Sequence, residues 1–194
     1  MSVSISKTAK ILGKAKVLGD AEVFGNARIY DNAIVWGNAA VCGIARIEGN
    51  AQVSDNAIIE GAAHVSDDAR VYDNAYVGVR ANVRGIAVIC GNAHVHGNAR
   101  VSGNATVCGN TKVHHDAVVE GDAEVCGRAL VTDHAFVGGH AVISGDAIVY
   151  NHACVSDYVV VSGQAWVSGC SRIGGDVRIF SGMIRDVYWW RNVP

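Results

Sequence analysis

A six-residue period constrains this chain more than any other feature. From Gly91 the sequence reads GNAHVH, GNARVS, GNATVC, and the same frame runs without insertion from Met1 to Phe180, thirty words in all. Counting each word from its Gly or Asp, the fifth place is Val or Ile in every word, from Ile5 to Ile179. The third place is Ala from Ala9 to Ala165, except at Thr111 and Val159. In an extended chain places three and five share one side and places four and six the other, so each word predicts a strand of about four residues with one dry face. Places one and two, as in Gly25-Asn26, Asp31-Asn32 and Gly103-Asn104, carry residues that tolerate positive φ and turn the chain. A strand this short buries its Val only if successive words fold round and stack, which makes each word one side of a solenoid coil.

The order Val-x-Gly-Asn-Ala-x resembles the hexapeptide repeat of left-handed parallel β-helices, and above all the GNA-type repeat proteins of bacteria and phages. The resemblance covers Met1 to Phe180. It implies an all-β, left-handed parallel β-helix of about ten triangular coils, three words to each, with a short aromatic C-terminal tail. Left-handedness comes from the resemblance alone, since parallel crossovers are otherwise right-handed. Two units are expected: a hexapeptide-repeat β-helix over 1–180 and a capping or interface tail over 181–194. At Ser181 the frame breaks, because Arg185 would fall on the inward fifth place. The tail, with Tyr188, Trp189 and Trp190, is therefore expected to fold back over the last coil or a neighbouring subunit.

Composition narrows the partners. The 23 Gly and single Pro follow from the repeat, which asks for a turn glycine in each word and tolerates no lost backbone donor. A net charge of -2 with basic residues scattered along the chain gives no footprint for nucleic acid or an anionic membrane. No apolar run is long enough to span a bilayer. The opening MSVSISKTAKIL already obeys the repeat and lacks an apolar segment followed by a cleavage site, so it reads as a first strand. Cys42, Cys90, Cys108, Cys126, Cys154 and Cys170 form no CxxC pair, and free thiols in a cytoplasmic protein are expected.

Stacking three words per coil places residues eighteen apart above one another, and three outward columns carry chemical groups. Cys90, Cys108 and Cys126 form one, read as a ladder of small apolar groups because parallel rungs are spaced too widely for a disulfide. His94, His96 and His114 are the candidates for a metal, since neutral imidazole suits zinc or nickel, but no acidic side chain is placed to orient them. Asp116, His134, His152 and Cys170 form a corner column whose side chains are expected to splay outward. Outward apolar residues, among them Trp36, Leu130, Phe136, Ile148, Trp166, Trp189 and Trp190, point to a homo-oligomer, and the resemblance implies a trimer first, since similar prisms pack side by side around a three-fold axis.

The resemblance also brings two enzyme classes. Hexapeptide acyltransferases use a histidine base beside a loop that leaves the prism and bind acyl-CoA between subunits; here only His96, His114 and His134 are placed to serve. The γ-class carbonic anhydrases bind zinc through three histidines, two of them five residues apart, a spacing absent from this chain. With no inserted loop and no phosphate cradle, the reading is a non-catalytic, oligomerising β-helix without cofactor. It would act as a scaffold or binding module, such as a phage or bacterial interaction protein; an inter-subunit acyltransferase is the alternative. Stacked Arg28 and Arg46 add the possibility of a small anionic ligand in a groove between subunits.

Overall fold

The computed structural model describes residues 3–190, and among them it contains strands and turns but no helix. Thirty-two short strands, from β1 (Ser4–Ile5) to β32 (Tyr188–Trp190), build three parallel sheets of eleven, eleven and ten strands among the described residues. Successive strands go to successive sheets, here called first, second and third, and each strand pairs with the one three further on. This is a parallel β-solenoid of about ten coils. At about 4.8 Å per rung the stack is roughly 45 to 50 Å long.

Register is fixed by what lies inside. Val77, Val95 and Val113 pair in line, as do Val65 and Val83, so each inward aliphatic stands on its own copy one coil below. From Ala21 to Val167 the places three and five are fully buried, Ala against Val or Ile. A slip of one residue would turn this set outward, so the burial itself holds the register. Most strands pair over two residues, places four and five, instead of the expected four, with turns at places one and two. The short pairing does not waste donors. Asn92 N–H reaches the Gly109 carbonyl at 2.7 Å, His94 N–H that of Thr111 at 2.9 Å and His96 N–H that of Val113 at 3.0 Å, three inter-coil bonds from one word.

Corners are held twice over. Place one lies in the left-handed region at each turn from Gly13 to Gly175, as Gly43 (φ 73) and Asp31 (φ 60) illustrate. At Gly43 a Cβ would come within 2.6 Å of the Gly61 carbonyl oxygen, so the coil above sits directly on the glycine. Where Asp takes this place, its carboxylate accepts the backbone N–H one coil on: Asp67 from Gly85 and Asp73 from Gly91, both at 2.9 Å. Place two adds asparagine ladders. Each Nδ2 of Asn38, Asn56, Asn74 and Asn92 donates to the Oδ1 of the next asparagine, ending at Asn110, over 2.9 to 3.1 Å.

The segment after Phe180 corrects the expectation that the coil stops and folds back. The chain drops one residue at each of two corners and keeps stacking. Trp166 pairs with Met183 and Val167 with Ile184; then Arg172 pairs with Tyr188 and Ile173 with Trp189. Skipping a residue moves Arg185 from the inward place to the outward place opposite Ser168 and brings Ile184 inward. Trp189 takes the last inward register place among the described residues and is 44% exposed. The Trp190 side chain and residues 191–194 lie outside the described residues. At the other end Val3 and Ile5 are exposed.

Two inward places carry a hydroxyl, Ser171, which donates to the Ser168 carbonyl at 2.7 Å, and Thr111. Thr111 stands fully buried where its file otherwise carries Ala, and its hydroxyl has no hydrogen-bond partner. An unmade hydrogen bond in an apolar interior costs about 1–3 kcal/mol, and Val has nearly the same shape. Thr111→Val is therefore expected to raise stability by about 1 kcal/mol and Tm by roughly 2–4 °C, measured by calorimetry.

Candidate functional site

The outward faces carry whatever chemistry the chain has, and each sheet carries a different set. On the first sheet His96 and His114 follow one another in the place-six file. Their rings stack at 4.9 Å with 8° between planes, and both are half-buried. His94, on the strand of His96 but in the neighbouring file, packs instead against Tyr76, ring centres 5.4 Å apart and planes tilted by 36°. The structure adds three residues that the sequence reading did not single out. His115 occupies a corner place one at φ 59 and brings its Nδ1 to 2.8 Å from that of His114. Thr132 Oγ1 lies 2.9 Å from His115 Nδ1 and 3.0 Å from His114 Nδ1, and Asp133 Oδ1 lies 3.6 Å from His115. The signal was available: Asp133 stands eighteen residues after His115, and Thr132 eighteen after His114.

His134 stands apart from this group, in the corner column that leads into the second sheet. It stacks on His152 at 4.8 Å and approaches Asp116 at 3.6 Å, so these side chains line up along the corner and engage one another instead of splaying freely. Among the described residues no group of three His, Cys, Asp or Glu side chains is disposed to hold a metal ion.

The second sheet holds a polar chain built around His64. Its Nε2 lies 2.6 Å from Glu48 Oε1 and its Nδ1 3.3 Å from Asn82 Nδ2, so Nε2–H donates to the carboxylate while Nδ1 accepts from the amide. Both ring nitrogens are engaged, which leaves none to take a proton from a substrate. Burial pushes the Glu48 carboxyl up, but hydrogen bonds from Tyr30 and His64 outweigh it and leave the carboxyl below its ordinary range. On the first sheet Tyr76 donates to Glu60, and burial followed by that bond pushes the phenol up to about 12.

The third sheet carries the cysteine file. All six cysteines are free thiols, and Cys90, Cys108 and Cys126 are half-buried. Burial, then a hydrogen bond and charge from Glu124, pushes the Cys126 thiol up to about 11; Cys108 is raised as well, burial again leading. Thiols held protonated are poor nucleophiles and poor metal ligands.

The apolar side chains expected at an interface do not form one patch. Leu130, Ile148 and Trp166 stand in one file on the first sheet, continued by Met183. Phe136 lies on the second sheet between Val118 and Cys154, and Trp36 is half-buried on the third. Three concavities, of about 450, 320 and 230 Å3, lie along the second sheet, and no histidine lines them.

Uninterrupted faces around a stacked aliphatic core define a β-solenoid repeat protein. Residues 27–43, 51–67 and 99–115 match the family model described as the YdcK beta solenoid repeat, each stretch about one coil long, and over these stretches the chain is similar to that family. No curated protein matches the chain.

The histidine file makes stability depend on pH. Burial, then the positive charges of His94, His115 and Lys112, lowers His96; burial, then His96 and His115, lowers His114 against an upward pull from Asp133. In the unfolded chain both titrate near 6.5. Below that pH the unfolded state binds more protons than the folded one, so stability is lost as pH falls from about 6.5 toward the lower folded-state values. The urea midpoint is expected to drop between pH 7.5 and pH 5.5, and the His96→Asn, His114→Asn double variant is expected to show a smaller drop.

Proposed function

We propose that this chain is a non-catalytic scaffold or binding module that assembles with copies of itself through the outer half of the first sheet. One observation carries the reading: Leu130, Ile148, Trp166 and Met183 stand in register on one flat face, with Trp166 43% and Met183 55% exposed. Apolar files of this kind mark contact surfaces. The four rungs of the file, about 19 Å tall and about 15 Å wide, offer roughly 300 Å2 as an apolar centre, and the rest of the face brings the total to roughly 700 Å2, close to the roughly 800 Å2 that each partner gives to a stable interface. A regular ladder also complements its own copy, as a closed symmetric oligomer requires, and a three-fold assembly is the first arrangement to test. The six-residue period and three-stranded coil support placing the chain with the left-handed hexapeptide class.

The catalytic alternative has less behind it. His96 and His114 are held neutral, the form a general base needs, but they lie on a flat face away from the concavities of the second sheet.

Light scattering coupled to size exclusion tests the assembly. The expected mass is a multiple of 20.3 kDa, and Ile148→Lys with Trp166→Lys should return it to a single chain with an unchanged circular dichroism spectrum. A mass of 20.3 kDa at every concentration would overturn the reading. Millimolar acetyl-CoA is expected to leave Tm unmoved; a rise by mass action would favour the acyltransferase instead.

A further inference from the structure

On this prism every outward file is a one-dimensional array whose members either satisfy or repel their neighbours. Several polar files close on themselves. The asparagines from Asn38 to Asn110 form a ladder, Glu48 takes His64, Asp122 lies 3.4 Å from His140, and Arg128 grips Asp146 through two bonds of 2.6 and 2.8 Å. One file of the second sheet does not close. Lys10, Arg28 and Arg46 occupy the outward fourth place of β2 (Lys10–Ile11), β5 (Arg28–Ile29) and β8 (Arg46–Ile47), in direct register and exposed.

Among the described residues none of these three forms an ion pair. Glu48, whose carboxyl feels the charge of Arg46, is already committed to Tyr30 and His64. Like charges directly opposite one another destabilise a sheet. No other outward file of the described residues repeats one permanent charge three times in succession. The bias is local: up to Arg46 the chain has Lys7, Lys10, Lys14, Lys16, Arg28 and Arg46 against Asp20, Glu22 and Asp31, whereas overall Asp and Glu outnumber Lys and Arg, 18 to 16. Residues scattered through the sequence are thus gathered by the fold into a ridge.

The ridge stands between two concavities, and its three cations line both. One, of about 450 Å3, reaches the corner residues Thr8, Asn26, Ile44 and Ala62; the other, of about 320 Å3, reaches Leu12 and Tyr30. The next member of the file is His64, whose ring is held by Glu48 and Asn82, so the array ends after three rungs.

We propose that Lys10, Arg28 and Arg46 form a binding site for a small linear polyanion of the oligophosphate type, laid along the prism axis with one oxyanion group facing each rung. Three cations at about 4.8 Å intervals span about 10 Å, which suits a short anion and not a polymer. The guanidinium forks take oxyanions through paired hydrogen bonds, and Lys10 supplies a point charge at one end. The anion neutralises a repulsion against which the chain sets only Glu48, beside Arg46 and already engaged by Tyr30 and His64. The site lies on a different sheet from the apolar file, so its failure leaves the assembly reading untouched.

Titration calorimetry at low salt with inorganic tripolyphosphate, and with orthophosphate for comparison, tests this. Tripolyphosphate is expected to bind at least about tenfold more tightly than orthophosphate, and Arg28→Gln and Arg46→Gln should each weaken it about tenfold. Arg70→Gln, which removes an exposed cation from the third sheet, should leave affinity unchanged. A second readout needs no ligand: in anion-free buffer Arg28→Gln relieves repulsion and should raise Tm by about 2 °C. Absence of binding at millimolar tripolyphosphate, an equal loss in Arg70→Gln, or a lowered anion-free Tm in Arg28→Gln would overturn the proposal.

Discussion

The whole structure depends on a backbone that enters the left-handed region once every six residues. Gly pays no steric cost there, and Asp offsets its cost with a carboxylate that reaches the amide of the coil above. Because that turn recurs at a fixed interval, each coil closes after three words and every residue meets its counterpart eighteen positions away. The buried Ala and Val columns, the hydrogen bonds between coils and the outward files are all consequences of this one periodic constraint. Each rung depends only on the rung before it and the rung after.

That arrangement turns sequence into surface by a simple rule. A residue type that recurs every eighteenth position becomes a continuous stripe, favourable if its members can bond one another and unfavourable if they cannot. Asparagine does well under the rule, because its amide both donates and accepts. Histidine stacks, at the expense of being easily protonated, as His96 and His114 show. Aliphatic stripes remain exposed and invite cover, and a stripe of cations asks for a counter-charge from outside the chain.

Most of the fold was legible because the repeat is unbroken: Val or Ile at the fifth place and Ala at the third predict the buried set residue by residue. The end of the coil was not. Reading Arg185 in frame put a charge inside, whereas the chain sheds a residue, with Phe180 standing directly over Gly163 at the corner and Ile184 replacing Arg185 inside. A strict frame conceals a deletion at a corner, where side chains are exposed and no burial pattern records the loss. Site chemistry was legible in part. His96 and His114 were legible from their spacing; Thr132 and Asp133 follow His114 and His115 by the same eighteen residues, but the contact of His115 with His114 and Thr132 links two neighbouring columns, strand end to corner, which no single column shows. Lys10 escaped notice beside Arg28 and Arg46 because scattered charges were weighed along the chain instead of along the stack.

The amide ladders also determine how this protein would age. Asn32 and Asn50 run into Asp68, Asn98 into Asp116 and Asn104 into Asp122, each ladder donating toward a final carboxylate that only accepts. Deamidation of an asparagine inside a ladder, Asn56 or Asn74 for example, would replace a donor with a second acceptor and set two acceptors face to face, whereas at a terminal position the same chemical change reproduces the residue that three ladders already carry there. Spontaneous damage is therefore costly in the middle of the stack and nearly silent at the end of a ladder, so the direction of hydrogen-bond donation sets a direction of chemical durability along the prism.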